Sequence, residues 1–272
     1  MRKKRLAACV VMGLGGLGLG AALAQDGPLR RYKPVIVGID DKGADDAELV
    51  ALIDNLKQAV RKRDVAAIRN AAAPTLAIVT PPVGFPPANA PKPLKLDGEP
   101  SGPQRLDKAI ALLAGEGEPD RKRLDALILA TVAEALSSGT IGRSALVRGA
   151  LCAPAEPKFN RGQVLAIAEA AGEVPDNLVI LIEETVFLEK PDTAAAAIAT
   201  LKPGSVVPFV EGAVEGADGK RDWYAIGLPT GRRGYAKGDR STSFEATRLC
   251  FTKEGPKDSA AWAISTVIVP NN

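Results

Sequence analysis

The residues with the most suggestive chemical spacing lie near the start of the chain. Gly13, Gly15 and Gly18 satisfy a G-x-G-x-x-G spacing behind an apolar run, and Asp40 and Asp41 follow about 20 residues later. Glycines at this spacing let a backbone approach a pyrophosphate, and an acid at that distance binds a ribose hydroxyl. Taken alone, the pattern predicts a dinucleotide-binding loop.

The surrounding residues favour a secretory signal instead. Residues 2–5 (RKKR) are cationic, residues 6–23 carry no charge, and residues 22–24 (ALA) form a small-x-small signal peptidase site. A pyrophosphate loop must open a helix, but residues 26–28 (DGP) would interrupt that helix. We therefore predict a signal peptide at residues 1–24, with an uncleaved anchor as the alternative.

The predicted signal peptide has consequences for the location of the protein and for the segment that follows the signal. A cleaved signal predicts a periplasmic or secreted protein, and residues 25–44 are predicted to be a flexible N-terminal linker. No second apolar run approaches the ~18 residues that a membrane-spanning helix needs. We therefore predict no transmembrane segment after signal cleavage.

Signal removal also changes the net charge of the chain. The full sequence has 35 lysine and arginine residues, 32 acidic residues and no histidine, for a formal net charge of +3. Four of the basic residues lie in the predicted signal, which leaves 31 basic residues against 32 acidic ones and a net charge of −1. A near-neutral protein has no general electrostatic attraction for nucleic acid, so we expect no nucleic-acid partner.

Two cysteines, Cys152 and Cys250, remain after the predicted signal. An even pair in an oxidising compartment is a candidate disulfide, and we predict that these two are bonded. Two separate buried thiols are the alternative, because free cysteine is commonly a small core residue.

The absence of histidine from the sequence limits the enzymes that this chain could form. Cysteine peptidases need a Cys–His pair, and zinc amidases need histidine ligands. An acid cluster precedes the first predicted helix, lacks the spacing of an EF-hand, and is expected to stabilise the helix N-terminus. Its members are Asp40, Asp41, Asp45, Asp46 and Glu48. We predict no catalytic residue, no metal site and no cofactor.

Residues 45–176 have the periodicity of short helices and predict a small helical domain. Leucine, isoleucine and valine recur at helical spacing behind capping residues. The predicted helices begin at Asp45 or Asp46, near Leu106, at Asp120 and at Asn160. A proline-dense insert at 81–104 predicts an extended loop or spacer within this half.

From residue 178 the pattern changes to short apolar segments separated by glycine-rich turns. This part contains both tryptophans and four of the six phenylalanines. Short strands at close spacing with such turns predict a small β-barrel. Two further apolar segments near the C-terminus, joined by KEGPKDSA, predict an extra hairpin added to that barrel.

The order of motifs in this half resembles the bacterial SH3 domain (SH3b). That family has a strand and loop ending in Pro-Ser, a hydrophobic-x-x-Leu-x-x-Gly turn, a strand opening with Trp, and a Gly-x-x-Gly-Tyr-Val hairpin. The matching segments here are VFLEKPD at 186–192, IATLKPG at 198–204, WYAI at 223–226 and GRRGYA at 231–236. The resemblance covers about residues 180–237, with Glu189 and Lys190 in place of the family's usual Arg and Gly.

The resemblance completes the predicted architecture. It is an α+β multidomain chain in which a helical domain at 45–176 precedes an SH3-like β-barrel with an added C-terminal hairpin at 178–272. Uncharacterised exported bacterial proteins that join a helical region to an SH3 domain have a similar organisation.

The resemblance also implies a binding function. SH3b domains are associated with cell-wall peptides or protein ligands, which implies Trp223, Tyr224 and Tyr235 as ligand-binding residues. Because aromatic rings are commonly packed inside a fold, Trp223 and Tyr235 are alternatively core residues. The expected function is a non-enzymatic envelope protein that binds peptidoglycan or an envelope protein or peptide. A carboxylate-dependent cell-wall hydrolase and a purely structural envelope subunit remain the alternatives.

Overall fold

The computed structural model describes residues 29–39, 42–80, 92–94, 101–114, 119–238, 240–256 and 260–269. The predicted signal peptide at 1–24, the glycine motif, Asp40, Asp41 and most of the proline-dense insert lie outside these residues. Among the residues it does describe, no helix is long and apolar enough to cross a membrane.

Within the described ranges, five α-helices begin at polar caps that the sequence marks clearly. They are α1 (Ala47–Lys62), α2 (Val65–Asn70), α3 (Gly102–Leu113), α4 (Arg121–Ser137) and α5 (Arg161–Ala171). The caps predicted at Asp46, Asp120 and Asn160 are confirmed, since each side chain accepts a backbone N–H of its first turn. The periodicity predicts that the first helix continues to about residue 72, but α1 ends earlier, at Arg63 in a left-handed conformation with φ of 57°.

In the part of the chain that the structure describes, fifteen strands form three sheets. In chain order they are β1 (Gly38–Ile39), β2 (Ala72–Thr80), β3 (Lys92–Pro93), β4 (Gly142–Arg143), β5 (Leu151–Ala153), β6 (Pro157–Lys158), β7 (Leu178–Leu181), β8 (Thr185–Leu188), β9 (Ala197–Leu201), β10 (Val206–Val214), β11 (Trp223–Gly227), β12 (Arg233–Lys237), β13 (Ser241–Ser243), β14 (Arg248–Glu254) and β15 (Ala261–Ile268). The pair β1 and β6 forms a two-stranded sheet of its own.

The predicted fold class is wrong at its central point, because the helices do not form a separate helical domain. They pack on a six-stranded sheet with the order β3-β2-β15-β14-β5-β4. The C-terminal hairpin β14–β15 lies in the middle of this sheet, where β15 pairs in parallel with β2. Side chains from α1 to α4 and from both hairpin strands share one buried cluster, which includes Leu49, Leu106, Ile128, Phe251 and Val267. The hairpin is therefore part of the core beneath the helices and is not an addition to a barrel.

The predicted closed barrel is also absent from the described part of the chain. Seven antiparallel strands form a sheet with the order β13-β7-β10-β11-β12-β8-β9, and no pairing joins its edge strands β13 and β9 there. Helix α5 covers part of this sheet, with Val164 and Ile167 buried against Ile180 and Val206. The predicted SH3-like barrel is therefore wrong, and these strands form an open antiparallel sheet.

Residues 29–39, within the predicted linker, lie along the seven-stranded sheet. The backbone of Val37 bonds Gly204, and the Tyr32 hydroxyl donates to the carbonyl of Gly227 at 2.8 Å. Tyr32 is buried, and this burial raises the pKa of its hydroxyl. The segment then reaches β6 through β1.

The predicted disulfide is confirmed. Cys152 on β5 and Cys250 on β14 are directly opposite residues of neighbouring strands, and both side chains are fully buried. A disulfide is compatible with a protein located outside the cytoplasm.

A buried arginine holds three helices together. Arg69 at the end of α2 donates to Asp107 on α3 and to Asp125 on α4, both at 2.7 Å. Burial opposes its charge, but the hydrogen bonds to Asp125 and then Asp107 outweigh this effect and raise its pKa. Each charge of this cluster therefore has a partner, as a buried ion pair requires.

Several polar contacts tie the start of the first helix to the C-terminal hairpin. Asp46 caps α1 by accepting the N–H groups of Glu48 and Leu49, and it also accepts the indole N–H of Trp262 at 3.1 Å. The Lys253 ammonium lies 5.5 Å from the centre of the Trp262 ring and 2.6 Å from a Glu48 oxygen. Trp262 thus contributes to the hairpin's contact with the helices.

Replacing Asp46 with alanine is expected to lower the free energy of unfolding by about 1–2 kcal/mol, because the helix cap is lost. The hydrogen bond from the Leu49 N–H is the largest cause that lowers the pKa of this carboxyl, ahead of the hydrogen bond from Trp262 and the positive charge of Lys253. A lowered folded-state pKa adds stability that is present above the unfolded value of about 3.9 and is lost as pH falls through the folded value. Urea unfolding at several pH values measures both effects.

Asp46→Asn is the matched control, because asparagine keeps a cap oxygen without the charge. Its deficit relative to the wild type should stay below about 1 kcal/mol at neutral pH, since Asp46 is partly exposed. That deficit should disappear in acid. A deficit that grows as the pH falls would contradict the assignment.

Candidate functional site

The structure separates the three predicted aromatic residues. Trp223 is opposite Lys237 and Ala225 is opposite Tyr235 in the β11–β12 ladder, so Trp223 and Tyr235 lie on one face of the sheet. Tyr224 lies on the other face, because neighbouring residues of a strand point in opposite directions. The three rings therefore do not line one common groove.

Trp223 is largely a core residue, with 2% of its surface exposed. Its indole Nε1 is buried and has no hydrogen-bond partner among the described residues. This nitrogen faces Gly216, and it is the atom closest to where a Cβ at that position would lie. Only glycine allows this close approach. A buried donor without a partner costs about 1–3 kcal/mol, so an acceptor that reached it would stabilise the site.

A pocket of about 260 Å³ opens beside Trp223. Two loops form its walls: Pro191, Asp192 and Thr193 follow β8, while Ala217 and Asp218 precede β11. The N–H of Ala217 donates to the carbonyl of Pro191 at 3.0 Å, which joins the loops at one end. The pocket therefore combines an indole, a proline ring and two carboxylates in a space that fits one side chain or a similar group.

Ionic contacts fix the loop on the Asp218 side. The Lys237 ammonium lies 3.1 Å from Asp218 and 3.4 Å from Asp222, and 5.9 Å from the centre of the Trp223 ring. The hydrogen bond from the Lys220 N–H, followed by that from Lys237, lowers the pKa of the Asp218 carboxyl. The hydrogen bond to Asp218 in turn raises the pKa of Lys237. Both groups stay charged near neutral pH and hold the loop against the sheet.

A partly exposed apolar strip leads away from this pocket. Tyr235 is opposite Leu188 on β8, and both are half-buried. Val186 lies two residues before Leu188 and is 49% exposed. Glu189 and Arg232 form an ion pair of 3.1 Å beside the strip. Glu189 thus has a partner on the neighbouring hairpin.

Tyr224 belongs to a different environment. Its ring packs against Phe209 with 6.2 Å between ring centres, and both rings lie close to Gly212. Phe209 lines a second cavity, which faces the helical side of the protein. Tyr224 therefore does not line the pocket beside Trp223, although the two residues are adjacent in sequence.

The loop residues of the pocket were not predicted from the sequence, although they lie in recognisable turns. The signal was the glycine-rich segment EGAVEGADGK and the proline after β8, but nothing local showed that these turns meet. In the described ranges no group of three or more metal-ligating side chains occurs, and Asp46 of the acid cluster serves as a helix cap.

Compared with protein-family models, curated proteins and solved structures, the chain shows no match. The residues that line the pocket are therefore the basis for its proposed function.

Proposed function

We propose that this protein is a non-enzymatic exported envelope protein whose pocket beside Trp223 binds a peptide or a cell-wall fragment. The observation that carries the proposal is the juxtaposition of this pocket with the apolar strip of Val186, Leu188 and Tyr235. The strip offers contact area along the sheet, and the pocket offers a place for one anchoring group. The resemblance to SH3b domains implies the same kind of ligand.

The chemistry of the pocket wall favours a ligand that carries N–H donors or an amine. Asp192 and Asp218 provide carboxylate oxygens, and no basic side chain lines the pocket itself. Lys237 neutralises part of this charge from one side. Peptides, including those attached to cell walls, provide such donors together with apolar groups for the Pro191 and Trp223 rings.

The proposed location is the periplasm or the cell exterior. The cationic and apolar residues at 2–24 favour export, and the disulfide fits an oxidising compartment. Both features support a location in which the pocket would meet peptides of the envelope.

Substituting Thr193 with arginine is the first test of this site. Thr193 is exposed at the pocket wall, so the larger side chain should fill the pocket without disturbing the core. Retention of the purified protein on insoluble peptidoglycan is expected to fall about tenfold, which corresponds to about 1.4 kcal/mol. Trp223→Ala is less informative, because removing a buried tryptophan costs about 3–5 kcal/mol of stability on its own.

Thr230→Arg is the matched control, since Thr230 is exposed at the far turn of the β11–β12 hairpin. It should be retained like the wild type. Equal retention of both variants would reject binding at this pocket, and no retention of the wild type would reject the cell-wall ligand. Murein zymography of the same samples tests the alternative, because a cleared band would replace the proposal with a carboxylate-dependent hydrolase.

A further inference from the structure

A second cavity lies between the two large sheets. It has a volume of about 260 Å³ and is bounded by the end of α4 on one side and by β7, β10 and the segment around β13 on the other. Phe209, Val179 and Pro154 form its apolar part. The size is just below the range of about 300–1,000 Å³ typical of small-molecule sites, so it suits one ring-sized group.

The polar part of this cavity consists mainly of hydroxyl groups. Ser137 and Ser138 come from α4 and its cap, while Ser243 and Thr247 come from the opposite wall. Three of these hydroxyls also bond within the protein: Ser137 donates to the Glu134 carbonyl, while Ser138 and Ser243 accept the N–H groups of Thr140 and Glu245. A hydroxyl has one donor site and two acceptor sites, so the lining keeps capacity for a ligand that is itself rich in hydroxyl or amide groups. Among the described residues of the lining, Glu134 is the only charged one, and it is exposed at the rim.

The wall that carries Ser243 and Thr247 is held rigidly. Arg248 is 4% exposed, and its guanidinium donates to the carbonyls of Phe244 and Ala246, each at 3.0 Å. The Phe244 ring packs edge-on against Phe159 with 4.8 Å between ring centres. The backbone between Ser243 and Thr247 is therefore fixed before any ligand arrives, which lowers the entropic cost of binding.

We infer that this cleft binds a saccharide unit, with one face of the sugar ring against Phe209 and its hydroxyl or amide groups paired with Ser138, Ser243 and Thr247. An aromatic ring contacts the C–H face of a sugar, and facing hydroxyls satisfy its polar edge. The lining contains no basic group, which favours a neutral sugar over an acidic one. The inference does not rest on the pocket beside Trp223, because the two cavities share no residue.

The test is titration of the purified protein with tri-N-acetylchitotriose, followed by calorimetry and by saturation-transfer NMR. Thr247→Val keeps the shape of the side chain and removes its hydroxyl, and Phe209→Ala removes the ring. We expect saturable binding to the wild type, with affinity reduced at least about fivefold in each variant. Thermal unfolding of both variants identifies a variant that fails to fold.

Two controls separate this site from others. Thr200→Val makes the same substitution at an exposed residue of β9, and Thr193→Arg fills the pocket beside Trp223. Both should bind the sugar like the wild type. The inference is overturned if the wild type shows no binding at about 10 mM ligand, where a site with a Kd of about 1 mM would be mostly filled. It is also overturned if Thr247→Val and Phe209→Ala both bind normally, or if only Thr193→Arg loses binding.

Discussion

Truncation of the chain after Thr247 is expected to unfold helices α1 to α4, although these helices end more than a hundred residues before the deleted segment. The deletion removes β14 and β15 from the middle of the six-stranded sheet, and with them five members of the shared core. Those members are Leu249, Phe251, Ile264, Val267 and Val269. Large apolar side chains contribute about 1.5–3 kcal/mol each when buried, so their sum is comparable to the net stability of about 5–15 kcal/mol of a typical domain.

Far-UV circular dichroism measures this effect through the helical signal of α1 to α4. Only two tryptophans occur in the chain, and Trp262 is deleted by the truncation, so the remaining fluorescence reports on Trp223 in the seven-stranded sheet. Loss of helical signal is the expected result. Intact, cooperatively unfolding helices would show instead that the hairpin is an addition to the C-terminal half.

A single substitution separates the hairpin's packing from its disulfide. Val267→Asp retains Cys250 but introduces a charge into the fully buried face of β15, beside β2 and β14. An unpaired buried charge is strongly destabilising, so the helical signal should again be lost. Ala261→Asp is the matched control, because Ala261 lies on the same strand and is exposed. It should fold normally.

Reduction of the Cys152–Cys250 disulfide is expected to lower the free energy of unfolding by about 4–5 kcal/mol. The bond closes a loop with a sequence separation of 98, and cross-linking such a loop restricts the unfolded chain by about this amount. It also ties the short strand β5 to the central strand β14. Urea unfolding with and without a reductant measures the difference.

The double variant Cys152→Ala/Cys250→Ala is the control for the reductant. Its stability should be close to that of the reduced wild type, and adding reductant should change nothing further. Thiol titration of the exported protein provides an independent check, because neither cysteine should react until the protein is denatured and reduced. Two reactive thiols on denaturation alone would contradict the disulfide.

Several features depended only on residues close together in the sequence, and these were predicted correctly. The caps at Asp46, Asp120 and Asn160 act on N–H groups two or three residues away. Gly172 ends α5 in a left-handed conformation for an equally local reason.

The cysteine pair was predicted from its even number and the expected compartment, without any knowledge of the sheet.

The partner of the C-terminal hairpin was decided only by the tertiary structure. A short apolar segment in β2 and a longer one in β15 are each compatible with several sheets, because strand pairing depends on which buried face remains uncovered. The uncharged run ISTVIV at 264–269, which includes the end of β15, was a missed signal, since a strand without polar alternation is typical of the middle of a sheet with both faces covered. The sequence order of SH3-like motifs favoured a barrel and an appended hairpin instead.

The candidate site shows the same division between local and distant information. The sequence by itself determined that Trp223 and Tyr224 lie in a short strand that a glycine-rich turn separates from Tyr235, and the structure pairs the two strands as β11 and β12. Only the tertiary structure buried Trp223, set Tyr224 on the opposite face beside Phe209, and brought the loops of Pro191 and Asp218 together. The physical reason is that capping and alternation act within a few residues, whereas a pocket forms where distant segments bury their apolar faces against each other.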